Sequence, residues 1–402
     1  MREVVIVDGA RTAFGKQGGI LRTIVPAELA GMTIKGLCEK TKILEKAKVD
    51  AVFAGSAYQD VNCINFARYA TLYAGLPYET AATFIEMQCG SSIACINAAA
   101  LQVQAGIHDI VIAGGGESWS QMYRKYSTAV EPYRAIPPMP APLKLAPDPE
   151  DDMAMIAISD HMAEVWGVTR EECDEFAYIS QKRAAKAIDA GYFKDEIIPI
   201  EVKYSRKADP VVVDQDEHPK RNTTIEGLAK LRSVRPGGVT TAGNASGLND
   251  GAAFLLMMTR EKAEELGYKP MAKWILGLDT GVDPKVMGIG PAYSNMKLLE
   301  KAGLKVSDID MWECNEAFAA QNLSVIKQME AMSGEKIDRE KWNPYGGAIA
   351  FGHPNGASGG RIALFNIKSL IRSGGKYGIF SACIGGGLGA STLIENIYEG
   401  EL

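Results

Sequence analysis

The chain has 402 residues, 47% hydrophobic and 23% charged, a globular composition with room for two or three domain-sized units. Its net charge of −6 argues against nucleic acid or an anionic membrane as the main partner, and no apolar run approaches the roughly 20 residues that span a bilayer. The seven cysteines are odd in number and form no C-x-x-C pair, which speaks against a metal site and for a cytoplasmic chain with reduced thiols.

In chain order, "EVVIVDGA" at 3–10 reads as a first strand and turn, not as a secretory leader. "AELAGMTIKGLCEKT" at 27–41 has a helical pattern. "DAVFAGSA" at 50–57 and "DIVIAGGGES" at 109–118 are further apolar runs that end in small residues. Strands alternating with helices predict an α/β fold with a largely parallel or mixed sheet. Residues 121–245 read as an insertion carried on the first half. Its proline-rich stretch, "RAIPPMPAPLKLAPDPEDD" at 134–152, predicts an extended excursion outside any sheet, followed by a charged helix in "TREECDEFAYISQKRAAKAIDAG". An insertion of this length binds something or builds an interface.

The chain then repeats itself. "LEKAKVDAVFAGSA" from Leu44 is echoed by "LEKAGLKVSDIDMWECNEA" from Leu299. "CGSSIACINAAALQVQAGIHDIVIAGGGES" from Cys89 is echoed by "GHPNGASGGRIALFNIKSLIRSGGKYGIFSACIGGGLGAS" from Gly352. Each of the second pair reads as a tight turn, a helix, a glycine break, an apolar strand and a glycine triplet. Two matches in the same order indicate two similar halves, with Cys89 and His353 in matching places.

Each of these two residues then stands in a turn that leads into a helix. Unpaired N–H groups at a helix start favour negative charge, so a cysteine there is expected to ionise below its usual ~8.5. Buried core packing is the competing reading for Cys89. "CNEAFAAQ" at 314–321 ends a strand with Asn315 and Glu316 and turns helical. "SACIGGGLGAS" at 381–391 sets Cys383 before three glycines, whose backbone N–H groups suit an oxyanion. These four loops lie near strand ends, where α/β sheets build active sites.

"QCGSS", "GNASGLNDGAA", "MGIGP", "NEAFAAQ", "GGAIAFGHPNGASGGR" and "CIGGGLG" follow one another in an order that resembles the thiolase family over essentially the whole chain. The resemblance implies a thiolase fold: two βαβαβαββ halves in five αβαβα layers, with an inserted loop domain. The halves would be residues 1–120 plus 246–272 and residues 273–402, with 121–245 as the loop domain. By the same resemblance Cys89 is the nucleophile, Cys383 the acid/base, and His353 the activator of Cys89 and a ligand of the thioester oxygen. Asn315 would hold a water that completes that oxyanion site, and the N–H groups of Cys89 and Gly385 would form the other. Coenzyme A is then a substrate, and no cofactor is implied. Ser246 would meet the pantetheine arm, and Lys220 or Arg221 the nucleotide end. Met155, Met287 and Phe318 would wall the acyl pocket. The family implies a homodimer or homotetramer.

Two departures stand out. Ser92 replaces the glycine usual in the nucleophile motif, which is expected to alter packing beneath Cys89. Ala154 falls where short-chain members carry histidine, with Met155 retained. The change would leave room for acyl chains beyond four carbons; His161 nearby belongs on a helix surface. A decarboxylating ketosynthase would carry histidine at Asn315, a hydroxymethylglutaryl-type synthase would lack Cys383, and a non-catalytic lipid carrier would have lost one of Cys89, His353 or Cys383.

Overall fold

The computed structural model describes residues 2–127, 133, 137–141 and 143–400. Residues 134–136 and 142 of the proline-rich stretch lie outside these. The first half runs β1 (Val4–Arg11), α1 (Pro26–Thr41), β2 (Ala51–Gly55), α2 (Phe66–Tyr73), β3 (Ala81–Ile85), α3 (Ser91–Gln104) and β4 (Ile110–Ser118). Two helices of the insertion follow, α4 (Met155–Trp166) and α5 (Arg170–Asp189), before β5 (Asn249–Thr259) rejoins the sheet. The second half runs β6 (Ala272–Gly281), α6 (Gly290–Ala302), β7 (Met311–Cys314), α7 (Ala319–Ser333), α8 (Asn355–Ser373), β8 (Tyr377–Ile384) and β9 (Leu388–Asn396).

Sheet order is β7-β8-β9-β6-β1-β5-β4-β2-β3. In the first half β1–β5 and β5–β4 are antiparallel, and β4–β2 and β2–β3 parallel. The second half repeats this with β6–β9 and β9–β8 antiparallel and β8–β7 parallel. The expected repeat is therefore real in three dimensions. The second half lacks one strand: Trp342 makes only an isolated parallel bridge to Trp312. Asn343 has φ +47°, and Pro344 has no N–H to give, so the chain cannot stay extended there.

The apolar core forms three layers. Leu29, Ile34 and Phe66 cover one face of the first-half strands, and α3 and α8 are buried between the halves with Ile93, Ile96, Leu364 and Phe380. Leu298, Val325 and Ile326 cover the far face of the second-half strands. Every residue of β5 is buried, which is why "NDGAAFLLMMT" reads as a continuous run and not an alternation. Thr169 starts α5 with a capping box: its N–H reaches Glu172 Oε2 at 2.7 Å while its hydroxyl accepts from the Glu172 N–H at 3.2 Å.

One expectation needs correction, and two features lie beyond the sequence reading. Gly114–Gly116 lie inside β4, unlike the Gly385–Gly387 turn, and a side chain at Gly115 would strike the carbonyls of Gly55 and Gly356. The insertion rests on both halves. Ile158, Met162, Ala163 and Ala177 pack with Ala319, Ala320 and Leu323 of the second half, because their apolar faces match. Met139–Pro140 does pair briefly with Tyr126–Ser127, although proline-rich. Arg11 pins the rest of the insertion to β1, with Nε 2.6 Å from Glu196 Oε1 and a two-pronged grip on Asp216 at 2.7 and 2.9 Å.

Candidate active site

Cys89 and His353 stand two residues before α3 and α8, the two helices buried between the halves. Matching turns in the two halves thus aim at one point. The Cys89 turn is tightly built. Gln88 sits at φ +47°, and Ser91 Oγ accepts from the Met87 N–H at 3.0 Å while donating to the Gln88 carbonyl at 2.7 Å. Ser92, the departure from the family motif, donates to the Gly356 carbonyl and so ties the start of α3 to the start of α8. Gly359 allows that closeness, since a Cβ there would stand 2.8 Å from the Ile93 nitrogen.

His353 is buried, at 6% exposure. Its N–H donates to Asn249 Oδ1 at 3.0 Å, and its Nδ1 lies 2.6 Å from Ser358 Oγ. Gly352 precedes it at φ +93°, a backbone that residues with a Cβ rarely adopt. Burial, with help from the Arg361 charge, pushes the imidazole down to about 3, so it is neutral at working pH. Asn315 is fully buried; its amide nitrogen lies 3.4 Å from His353 Nε2 and 3.5 Å from Nδ1, and its Oδ1 has no protein partner. Cys383, near the end of β8, is buried, and its thiol is pushed well above the usual range by burial, then by the neighbouring Cys89 and Cys314.

The expected early ionisation of Cys89 is overturned. Burial, reinforced by the Glu117 carboxylate, pushes this thiol up to about 11. The Asn355 amide and the N–H groups of Cys89 and Gly385 pull the other way without winning. The helix start is therefore outweighed by loss of water.

A pocket of about 850 Å³ is lined by Cys89, His353, Cys383, Gly385, Ser246, Met155, Met287 and Phe318. Eight of the eleven residues singled out from the sequence thus share one cavity, with Asn315 packed behind His353. Lys220 and Arg221 do not reach it. They line an adjoining hollow of about 430 Å³ that meets the first at Ala242, and Arg221 is paired with Asp189. Ala154 is exposed at the cap of α4 and is absent from the pocket wall; Met155 and Ile156 line it instead. The room argued from an alanine there has no basis in the geometry. His161 lies at the surface of α4, facing Glu164.

Sequence reading missed three residues. Glu117 is buried and accepts from the Ala57 N–H at 2.7 Å, Ser56 Oγ at 3.0 Å and the Gly356 N–H at 3.1 Å, clamping the His353 turn to the first half. Burial pushes its carboxyl up to about 7. Asn355 donates to Cys89 Sγ at 3.1 Å, and Trp119 donates to Asn355 Oδ1 at 2.8 Å. Asn355 was visible as the one amide in "GHPNGASGG"; Glu117 and Trp119 gave no signal beyond ending an apolar strand.

Residues 4–261 match the model of the thiolase N-terminal domain and residues 268–396 that of the thiolase C-terminal domain. An acetyl-CoA acetyltransferase of Syntrophomonas wolfei is 41% identical, over 98% of this chain and 99% of that one. A beta-ketoadipyl-CoA thiolase of Acinetobacter baylyi is also 41% identical, over 99% of this chain and all of the other. Among solved structures, the Bacillus anthracis acetyl-CoA acetyltransferase superposes with TM-score 0.90 at 40% identity, covering 99% of each chain. The human mitochondrial 3-ketoacyl-CoA thiolase in complex with CoA superposes with TM-score 0.89 at 36% identity, covering 98% of each. With both domain models matched in order along nearly its full length, the chain belongs to the thiolase family.

Proposed function

We propose that the protein is an acyltransferase that exchanges 3-oxoacyl-CoA and CoA for acyl-CoA and acetyl-CoA, acetoacetyl-CoA included. The observation that carries this is the meeting of two cysteines, a neutral histidine and the Gly385 N–H in one pocket. In the first half reaction His353 takes the Cys89 proton and the thiolate attacks the substrate carbonyl. In thiolysis the acetyl-CoA carbanion leaves and takes a proton from Cys383; the CoA thiol then gives its proton to the Cys383 thiolate and attacks the Cys89 thioester, and the departing Cys89 thiolate takes back the proton held by His353. Condensation runs the same steps backward, with Cys383 removing the acetyl methyl proton. The Ser358 hydroxyl lies 3.1 Å from the Pro354 carbonyl, an acceptor only. Its proton goes there, its lone pair receives His353 Nδ1–H, and Nε2 is left as the base.

The N–H groups of Cys89 and Gly385 serve one oxyanion. The free Oδ1 of buried Asn315 supports its role as the seat of a water beside His353. Ser246 meets the pantetheine, and the hollow with Lys220 and Arg221 takes the nucleotide end of CoA. Met155, Ile156, Met287 and Phe318 wall the acyl site, and their apolar surfaces suit acyl chains beyond four carbons. The halves and loop domain divide at 120/121, 245/246 and 272/273. Edge strand β3 pairs on one side only and stands beside exposed Tyr69, Leu72, Tyr73 and Tyr78, which supports a homodimer or homotetramer. Among the described residues no helix is long and apolar enough to cross a membrane. The free cysteines support a cytoplasmic location.

Incubation with acetyl-CoA followed by peptide mass spectrometry should place the acetyl group on Cys89. An acetyl group on Cys383 alone overturns the assignment.

A further inference from the structure

Asn355 is the first residue of α8 and is half-buried in the pocket wall. Its amide is held from both ends. On one side the Trp119 indole, which can only donate, points Nε1–H at an Asn355 atom 2.8 Å away. That atom must therefore be the carbonyl oxygen. The other end is then the NH2 group, and it lies 3.1 Å from Cys89 Sγ. The orientation of the amide follows from chemistry alone: flipping it would set two N–H donors against each other and an oxygen against the sulfur. Trp119 is itself braced by the Tyr58 ring, edge-on with centroids 5.0 Å apart.

We propose that Asn355 is a further catalytic residue, an N–H donor to the Cys89 sulfur that Trp119 holds in the donating orientation. This rests on Cys89 being the nucleophile. When His353 takes the thiol proton, negative charge appears on Sγ, and a hydrogen bond to a charged acceptor is stronger than one to a neutral one. The bond tightens as the thiolate forms and loosens when Sγ becomes a neutral thioester. In the return step, as CoA thiol attacks and the Cys89 thiolate departs, the same N–H receives the charge again. Asn355 thus acts on the charged species between ground states, where stabilisation accelerates the reaction. The neighbouring groups fit this. Glu117 opposes charge on Sγ, while Asn355 and the Cys89 and Gly385 N–H groups favour it.

The test is the pH dependence of Cys89 alkylation by iodoacetamide, quantified on the Cys89 peptide, in the wild type, Asn355→Ala and Trp119→Phe. Thermal melting verifies the fold, and acetylation by acetyl-CoA is measured alongside. Asn355→Ala should raise the apparent pKa of alkylation by about one and slow acetylation about 10- to 100-fold, as expected for losing a donor to a charged group. Trp119→Phe should move both in the same direction by less, because the amide is then free to flip. A wild type in which Cys89 is neither alkylated nor acetylated overturns the nucleophile itself. A wild type acetylated on Cys89, with an unshifted alkylation profile in both variants, overturns only the role of Asn355. If Asn355→Ala does not fold, an unshifted profile in Trp119→Phe overturns it alone.

Discussion

The tautomer of His353 can be tested by removing a single oxygen. Ser358 Oγ is fully buried, 2.6 Å from His353 Nδ1 and 3.1 Å from the Pro354 carbonyl. Ser358→Ala leaves the Pro354 carbonyl still bonded to the Ser358 backbone N–H at 3.0 Å, so the first turn of α8 persists. It leaves Nδ1–H buried with nothing to donate to. A stranded buried donor costs about 1–3 kcal/mol. The imidazolium formed when His353 takes the Cys89 proton needs that acceptor more than neutral imidazole does. Much of the loss therefore falls on the transition state, and kcat/KM for acetoacetyl-CoA thiolysis should drop roughly 5- to 150-fold. Single-turnover acylation of Cys89 should slow in parallel, while binding of CoA to the free enzyme stays as it was. Nitrogen-15 chemical shifts of His353 in the wild type should show the proton on Nδ1. A variant within threefold of wild type in acylation, or a wild type protonated on Nε2, refutes the reasoning.

Two further predictions concern the frame around the nucleophile. Glu117→Gln should gain stability relative to wild type as pH rises. The folded-state carboxyl sits at about 7 against an ordinary 4.5, so the native protein binds the extra proton and loses stability between these values. The difference amounts to about 3 kcal/mol from pH 4 to 8, and melting curves at both ends measure it; a constant difference would show that Glu117 is ionised throughout. Gly352→Ala should abolish acylation, because the added Cβ at φ +93° collides with the Asn249 side chain that holds the His353 N–H; acylation within tenfold of wild type would show that this turn tolerates a side chain.

β1, β2, β4, α1, α5 and the internal repeat were legible because they rest on periodicity and punctuation. "EVVIVDGA" and "DIVIAGGGES" could bury themselves only as strands, and both do. The missing strand at Trp342 was not legible, because an echo of helix and turn does not reveal where Pro344 interrupts pairing. Nor was the seat of the insertion, since chain order says nothing of which half offers α4 and α5 a matching apolar face. In the site, Cys89, His353 and Cys383 were readable as chemistry beside glycine. Glu117 was not, because its role exists only where β4, the 56–58 loop and α8 meet. The Cys89 pKa was misjudged for a related reason: a helix start is local and visible, whereas desolvation depends on the whole fold.

The two cysteines also answer how Cys383, so far above its ordinary range, can serve the proposed acid/base role. Burial dominates the rise at Cys383, but charge on Cys89 adds to it, and the two thiolates oppose one another. In the free enzyme burial keeps both as thiols, the form in which Cys89 can pass its proton to neutral His353. Once Cys89 carries an acyl group it has no charge to lose or gain. No Cys89 thiolate then stands beside Cys383, so that thiol can give up the proton it must exchange with the acetyl methyl without facing a second negative sulfur. When Cys89 departs as a thiolate, its charge returns and Cys383 holds its proton. Two like groups in one pocket therefore need no outside signal to act in turn, because charge on Cys89 raises the affinity of Cys383 for its proton.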